Sequence, residues 1–171
     1  MICSTLFMLK ITTISILVLS LIIGALITIL SVNPLPRGGL TGQKTAQKQN
    51  LSYTTITISG ARIDVEIADT PNTRRYGLSG RSELKDGNAM LFIFEKPDYH
   101  GFWMKNMSFP IDIIWFNENR KAVDIASFAK PEGEHPKKIY MPREKALYVL
   151  EAKAGFAKEK KIVIGDVFSL E

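Results

Sequence analysis

Two carboxylates sit where apolar strands rarely leave them. Asp112 lies inside the run Ile111-Asp112-Ile113-Ile114-Trp115-Phe116, and Glu151 closes Tyr148-Val149-Leu150-Glu151. A carboxylate in such a strand loses its hydration unless something pairs with it. Facing one cleft, the two could act as acid and base on a glycosidic bond, provided they stood about 5–9.5 Å apart. Their default use is in ion pairs with Arg74, Arg81 or Lys105. The arginines are themselves candidates. Arg74 and Arg81 are seven residues apart, and a helix persisting that far would bring both to one face, because two turns take about 7.2 residues. Together they could grip a carboxylate or phosphate. Separately, each guanidinium fork could tie the helix and its following loop to Asp112, Glu151 or Asp166.

A third group lies in Phe102-Trp103-Met104-Lys105-Asn106. Lys105 and Asn106 could present a cation and an amide from a strand end, with Trp103 as a stacking surface for a sugar or another flat group. The structural alternative is a β-turn whose Asn106 bonds its own backbone, beside a tryptophan in the core. Lys105, bordered by aromatics, is the first choice for ligand contact.

Other chemistries are poorly supplied. His100 and His135 are the only histidines, and Asp98-Tyr99-His100 offers too few ligands for a metal, which wants three or four. Cys3 is the only cysteine and lies ahead of the folded part, so no disulfide, thiol nucleophile or thiolate metal site is expected there. Gly77, Gly80, Gly87, Gly155 and Gly165 are scattered rather than grouped as a nucleotide loop. No metal and no cofactor are expected. Lys158, Lys160 and Lys161 form a small basic cluster, read as a solvated turn or a contact for anionic lipid.

The elements that must position these residues are mostly strands. Thr54 to Ser59 and Arg62 to Ala68 alternate β-branched and polar residues around Ser59-Gly60, the pattern of a hairpin or a bulged strand. Thr70 before Pro71 caps a short helix running to about Leu78 and ending near Gly80. Further strands are predicted at Ala89 to Phe94, Gly101 to Met104, Ile111 to Phe116, Ala122 to Phe128, Ala146 to Ala152 and Asp166 to Leu170. Many short strands and one helix predict a mainly β fold, a compact β-sandwich or partly closed barrel.

Ahead of this domain, residues 11–32 run for 22 positions without a charge. A bilayer core needs roughly 20 such residues in a helix, whereas a cleaved signal has an apolar core of about 7–15. The expectation is a short tail at 1–10, a transmembrane signal anchor at 11–32, a flexible tether at 33–53 rich in Pro, Gly and Gln, and the domain at 54–171. Residues 1–50 hold four Lys/Arg and no acid, leaving 18 Lys/Arg against 17 Asp/Glu in the remainder. The basic balance therefore belongs to the anchor and tether, and nucleic acid is not an expected partner. Only Lys10 precedes the apolar run, whereas Arg37, Lys44 and Lys48 follow it, a count that mildly opposes export. The layout is nonetheless that of a signal anchor, and the domain is placed outside the cytoplasm, in the periplasm or at the cell surface.

An ordered series of residues resembles a known family. Arg74-Arg75-Tyr76-Gly77-Leu78-Ser79-Gly80-Arg81 is similar to its Arg-x-x-Gly-Leu-x-x-Arg element, followed by Met90-Leu91-Phe92-Ile93-Phe94. Phe102-Trp103-Met104-Lys105-Asn106 and Pro110-Ile111-Asp112-Ile113 form its most recognisable block, and Tyr140, Tyr148-Val149-Leu150-Glu151, Ala154-Gly155 and Gly165-Asp166 complete it. From about residue 54 to 170 the chain resembles domain of unknown function 192, departing from it at Ala89, usually Gly, and Met107, often Thr. The resemblance implies a small, mostly β domain, often exported or anchored, with no settled activity.

The function expected is a membrane-anchored extracytoplasmic binding or interaction module. A pocket edged by Arg74, Arg81, Trp103, Lys105 and Asn106 would accept a small polar or anionic envelope ligand or a protein partner. The alternatives are a small envelope glycan hydrolase using Asp112 and Glu151, and a scaffold domain whose polar signature residues only hold the fold together.

Overall fold

The computed structural model describes residues 51–171. The expected anchor at 11–32 and nearly all of the tether lie outside that range. Among the described residues no helix is long and apolar enough to cross a membrane.

The chain builds one sheet from seven strands: β1 (Ser52–Ile58), β2 (Ala61–Ala68), β3 (Asn88–Asp98), β4 (Ile111–Phe116), β5 (Ala122–Ala129), β6 (Ala146–Lys153) and β7 (Ser169–Leu170). Among the described residues the helices are α1 (Pro71–Tyr76) and α2 (Phe156–Glu159). The order across the sheet is β5-β4-β6-β3-β2-β1-β7. The fold is thus mainly β, and the strands form a single open sheet rather than the two packed sheets of a sandwich. The C-terminal segment reaches both edges. Ser169 and Leu170 pair with Thr57 and Ile56 of β1, while Val167 bridges Lys121 beside β5 and the Ala122 N–H donates to the Asp166 carbonyl at 2.7 Å.

β1 begins at Ser52, slightly ahead of the expected boundary. The β1–β2 hairpin turns at Ser59 (φ 49°) and Gly60 (φ 76°), two left-handed residues that match the twist of an antiparallel pair. β2 and β3 run parallel, so the chain must cross over between them, and α1 lies in that connection. Thr70 caps α1 as its sequence requires: its hydroxyl accepts the Thr73 N–H at 3.1 Å, and Thr73 Oγ1 accepts the Thr70 N–H at 3.0 Å. The helix stops at Tyr76, short of the expected Leu78, because Gly77 takes φ 48°. Arg74 and Arg81 therefore do not share a helix face. The strand expected at Gly101 to Met104 is reduced to one bridge, Phe102 with Tyr140, and α2 carries no sequence signal used above.

Both faces of the sheet are covered. On one, Ile56, Ile63, Leu91, Phe116 and Leu150 pack with Phe156 and Ile162 around α2 and with Phe168 of the C-terminal segment. On the other, Met90, Phe92, Ile113, Trp115 and Val149 pack beneath Leu78, Leu84 and Met104 from the connecting loops. All six residues of β4 are buried, which explains why it is apolar at every position but Asp112.

Candidate functional site

The second face carries a hollow of about 360 Å³ between α1, β3 and the Tyr99-to-Trp103 segment. Pro71, Arg74 and Arg75 supply one wall, Phe92 and Phe94 the floor, and Tyr99, His100, Gly101, Phe102 and Trp103 the other wall. The aromatic groups lock one another in place. His100 stacks on Phe94 with centroids 3.5 Å apart and planes 9° from parallel, and Phe92 meets Phe102 edge-on at 4.9 Å. The His100 carbonyl accepts Trp115 Nε1–H at 2.8 Å, which pins the segment to the buried indole below. A Cβ on Gly101 would lie 2.5 Å from Met141 Sδ and 2.8 Å from Ile139 Cγ2, two exposed side chains that would have to shift.

Arg74 and Trp103 meet in this hollow, but in different states. Arg74 is held fast: its guanidinium donates to the carbonyls of Asp69 and Ile93 and to Glu95 Oε1 at 2.6 Å, and sits 5.2 Å from the Phe94 centroid. That hydrogen bond, from Arg74, leads the causes holding the Glu95 carboxyl below its ordinary pKa. Trp103 is 52% exposed, so it is not the core tryptophan of the structural alternative; that role falls to Trp115, 1% exposed. Arg75, which was not singled out in the sequence, is exposed and makes no ion pair among the described residues.

Arg81, Lys105 and Asn106 do not line the hollow. Asn106 is an exposed turn residue at φ 54°, where asparagine is among the better-tolerated side chains. Its N–H donates to the Gly133 carbonyl and its own carbonyl accepts from Gly80, each at 2.9 Å, so the turn, closed by the Met107 N–H on the Met104 carbonyl at 3.4 Å, also fastens two loops together. The Lys105 carbonyl accepts the Ser79 hydroxyl at 2.8 Å, and the residue bridges Glu132. The convergence of all five expected ligand contacts is corrected to a hollow holding two of them.

The arginine partners also differ from those expected. Arg81 binds Glu66 through both nitrogens at 2.7 Å, and Glu95 takes Arg74. Asp166 instead accepts the Ser59 hydroxyl at 2.6 Å and the Val163 N–H at 2.9 Å, interactions that lower its pKa. Glu66 was hidden because Arg62, Asp64 and Glu66 alternate with Ile63, Val65 and Ile67 like an outward face. Position 66, unlike 62 and 64, is covered.

The two buried carboxylates diverge. In the β4–β6 ladder Asp112 lies opposite Ala152 and Ile113 opposite Glu151. Paired residues share a face and neighbours along a strand alternate, so Asp112 and Glu151 point to opposite sides of the sheet. Asp112 is also fully occupied: its carboxylate accepts N–H groups from Phe128 at 2.9 Å and from Gly155 and Ala157 at 3.0 Å. Phe128 is left-handed at φ 54° and Gly155 caps α2, so this one carboxylate secures two irregular backbone segments. Asp112 and Glu151 therefore do not face one cleft as paired carboxylates.

Glu151 is the anomaly. It is 5% exposed and has no hydrogen-bond partner among the described residues. Burial pushes its carboxyl up to about 8, against an opposing pull from Arg81. Arg81 cannot do more because Glu66 occupies its fork, and that hydrogen bond leads the causes raising the Arg81 pKa. Glu66, Met90, Glu151 and Ile113 form one row across β2, β3, β6 and β4. Gly77 lies over this row: a Cβ there would be 3.1 Å from Phe92 Cζ and 3.8 Å from Glu151 Oε2. Among the described residues no cluster of three or more His, Cys, Asp or Glu could hold a metal.

Comparison with known proteins places this architecture. The family model described as DUF192, uncharacterized ACR, matches residues 54–170. A UPF0127 protein of Pyrococcus abyssi is 34% identical over 107 residues, 60% of this chain and 81% of that protein. The crystal structure of a candidate transcription regulator from Sinorhizobium meliloti superimposes with a TM-score of 0.67 at 28% identity, over 72% of this chain and 97% of that one. A protein of unknown function from Novosphingobium aromaticivorans gives 0.61 at 33% identity, over 70% and 84%.

Proposed function

The chain belongs to the DUF192 family, and from that premise we propose that its domain is a binding module for a small polar or anionic ligand with a flat face. The ligand sits in the hollow between α1 and the Tyr99-to-Trp103 segment. Residues 11–32 anchor the module in a membrane and residues 33–50 tether it, with the domain outside the cytoplasm. The observation that carries the ligand reading is the half-exposed Trp103 indole across from Arg75 in a hollow of about 360 Å³. A tryptophan left in water forgoes the large gain of burying its ring, and a face so placed suits stacking on a sugar or another planar group. Arg74 is saturated by Glu95 and two carbonyls, so it shapes the wall, and Arg75 is the cation free to meet an anionic group. The placement of the anchor rests on the 22 uncharged residues and the acid-free stretch that follows them.

The test is a thermal-shift screen of the full chain in detergent against sugar acids, neutral sugars and aromatic carboxylates. A ligand at 100 times its dissociation constant stabilises the form that binds it by about 2.7 kcal/mol. The expected result is a compound that raises the Tm of the wild type and not of Trp103→Ala or Arg75→Ala. A shift that survives in both variants, or no shift with any compound, refutes the proposal.

A further inference from the structure

The C-terminal segment presents a surface unrelated to the hollow. Val163, Ile164 and Val167 are 59%, 52% and 58% exposed, while Ile162 and Phe168 on either side of them are buried. This exposure is held by structure. The Asp166 carboxylate accepts the Val163 N–H and the Ser59 hydroxyl, Gly165 N–H donates to the Ala122 carbonyl at 2.8 Å, and Ile162 N–H donates to the Ala157 carbonyl at 2.8 Å. Lys161 at φ 56° and Gly165 at φ 103° shape the turn. Three aliphatic side chains are thus held in water on a well-bonded turn.

Cations surround this tip. Lys121 pairs with Val167 in a backbone bridge, and its Cε lies 3.9 Å from where a Cβ on Gly165 would sit. Lys158 and Lys161 flank the turn, and Lys121, Lys158 and Lys161 are exposed with no ion pair among the described residues. Lys160 is matched by Glu159 at 2.8 Å. Asp166 is spent inside the turn, which leaves Glu118 on the β4–β5 turn as the nearby acid without a partner.

We propose that this turn docks the domain onto an anionic lipid surface, the aliphatic tip entering the acyl boundary while Lys121, Lys158 and Lys161 meet the phosphates. Apolar groups ringed by lysine suit that boundary, where long side chains extend to the charged layer. A second copy fits poorly, because a symmetric contact would set the same cations against one another. The proposal is independent of any ligand in the hollow.

The test uses the full chain with Cys3→Ser and Ile164→Cys, labelled with an environment-sensitive dye and mixed with vesicles of phosphatidylcholine alone or with 30% phosphatidylglycerol. The same dye at Ser82→Cys, an exposed position on another loop, is the reference. The expected result is a blue shift and quenching by lipid-borne quencher at position 164 only, with the anionic vesicles only. Each lysine near the surface is worth roughly five-fold in association, so Lys158→Glu with Lys161→Glu lowers the association constant read from the titration about 25-fold. Equal signals with both vesicle types, an equal response at position 82, or a shift without vesicles that grows with protein concentration overturns it. The last outcome would make the turn a contact between copies.

Discussion

Replacing Glu151 by Gln tests the reading of the buried row most directly. The carboxyl titrates at about 8 in the fold and at 4.5 in its ordinary state, the rise being caused by burial. Below pH 4.5 it is protonated whether the chain is folded or not, and it contributes no pH dependence. Between 4.5 and 8 the unfolded chain releases the proton and the folded one keeps it, so stability falls as pH rises, by about 1.36 kcal/mol per pH unit. Above 8 both states have released it and the loss levels off. The interval implies a total loss of about 5 kcal/mol, of which about 3 kcal/mol has gone by pH 7. Glutamine keeps the shape and cannot ionise. The assay is urea unfolding of the full chain in detergent, wild type against Glu151→Gln, from pH 4.5 to 9. Subtracting one protein from the other removes the titration of Glu95, Asp124 and Asp166, whose lowered pKa values place their effects in acid. The expected stability difference is small at pH 4.5, grows in favour of Gln, and reaches its plateau above pH 8. A difference that stays flat, or that grows in favour of Glu, refutes the assignment of Glu151 as a buried neutral acid.

Two further substitutions address the polar groups around it. Asp112→Ala leaves the N–H groups of Phe128, Gly155 and Ala157 without their acceptor, and orphaned donors cost about 1–3 kcal/mol each, so a loss of at least about 3 kcal/mol is expected in chemical unfolding. A loss under about 1 kcal/mol would show that Asp112 does not hold these segments. Arg81→Met strands the largely buried Glu66 carboxylate, with an expected cost of about 3–5 kcal/mol. The same change removes the cation that holds the Glu151 carboxyl down, so the loss of stability that begins near pH 4.5 should continue to a higher pH before it levels off. If its midpoint stays in place, Arg81 is not coupled to Glu151.

Local signals in the sequence located most elements. Thr70-Pro71 begins α1 because capping and the proline constraint act over one turn and need no tertiary partner. The β1–β2 hairpin follows from Ser59-Gly60 for the same reason. Gly101 to Met104 misleads because its apolar residues serve two surfaces: Met104 is buried in the core, while Phe102 and Trp103 line the hollow. Alternation of that kind looks like a strand, yet only Phe102 finds a bridge partner. Arg75 escaped notice, and His100 was weighed only as a metal ligand, because neither has a local pattern. Arg75 gains meaning from the segment across from it, and His100 from stacking on Phe94.

The register of one ladder decides the fate of the paired carboxylates. In a strand with one wet face, alternation would have shown whether Asp112 and Glu151 looked inward or outward. β4 has no wet face, and β6 is buried or half-buried up to Lys153, so their periodicity is silent. Pairing Ile113 with Glu151 sends Glu151 to the side of Arg81, Gly77 and Phe92, and Asp112 to the side of α2. A slip of one residue would have placed the carboxylates opposite each other on one face. In that arrangement two uncompensated acids would share a dry interior, and neither the amides that hold Asp112 nor the proton that neutralises Glu151 would serve both. The observed register gives each acid its own solution. Asp112 stays anchored by backbone donors, and Glu151 is left as a core carboxyl whose charge changes near neutral pH.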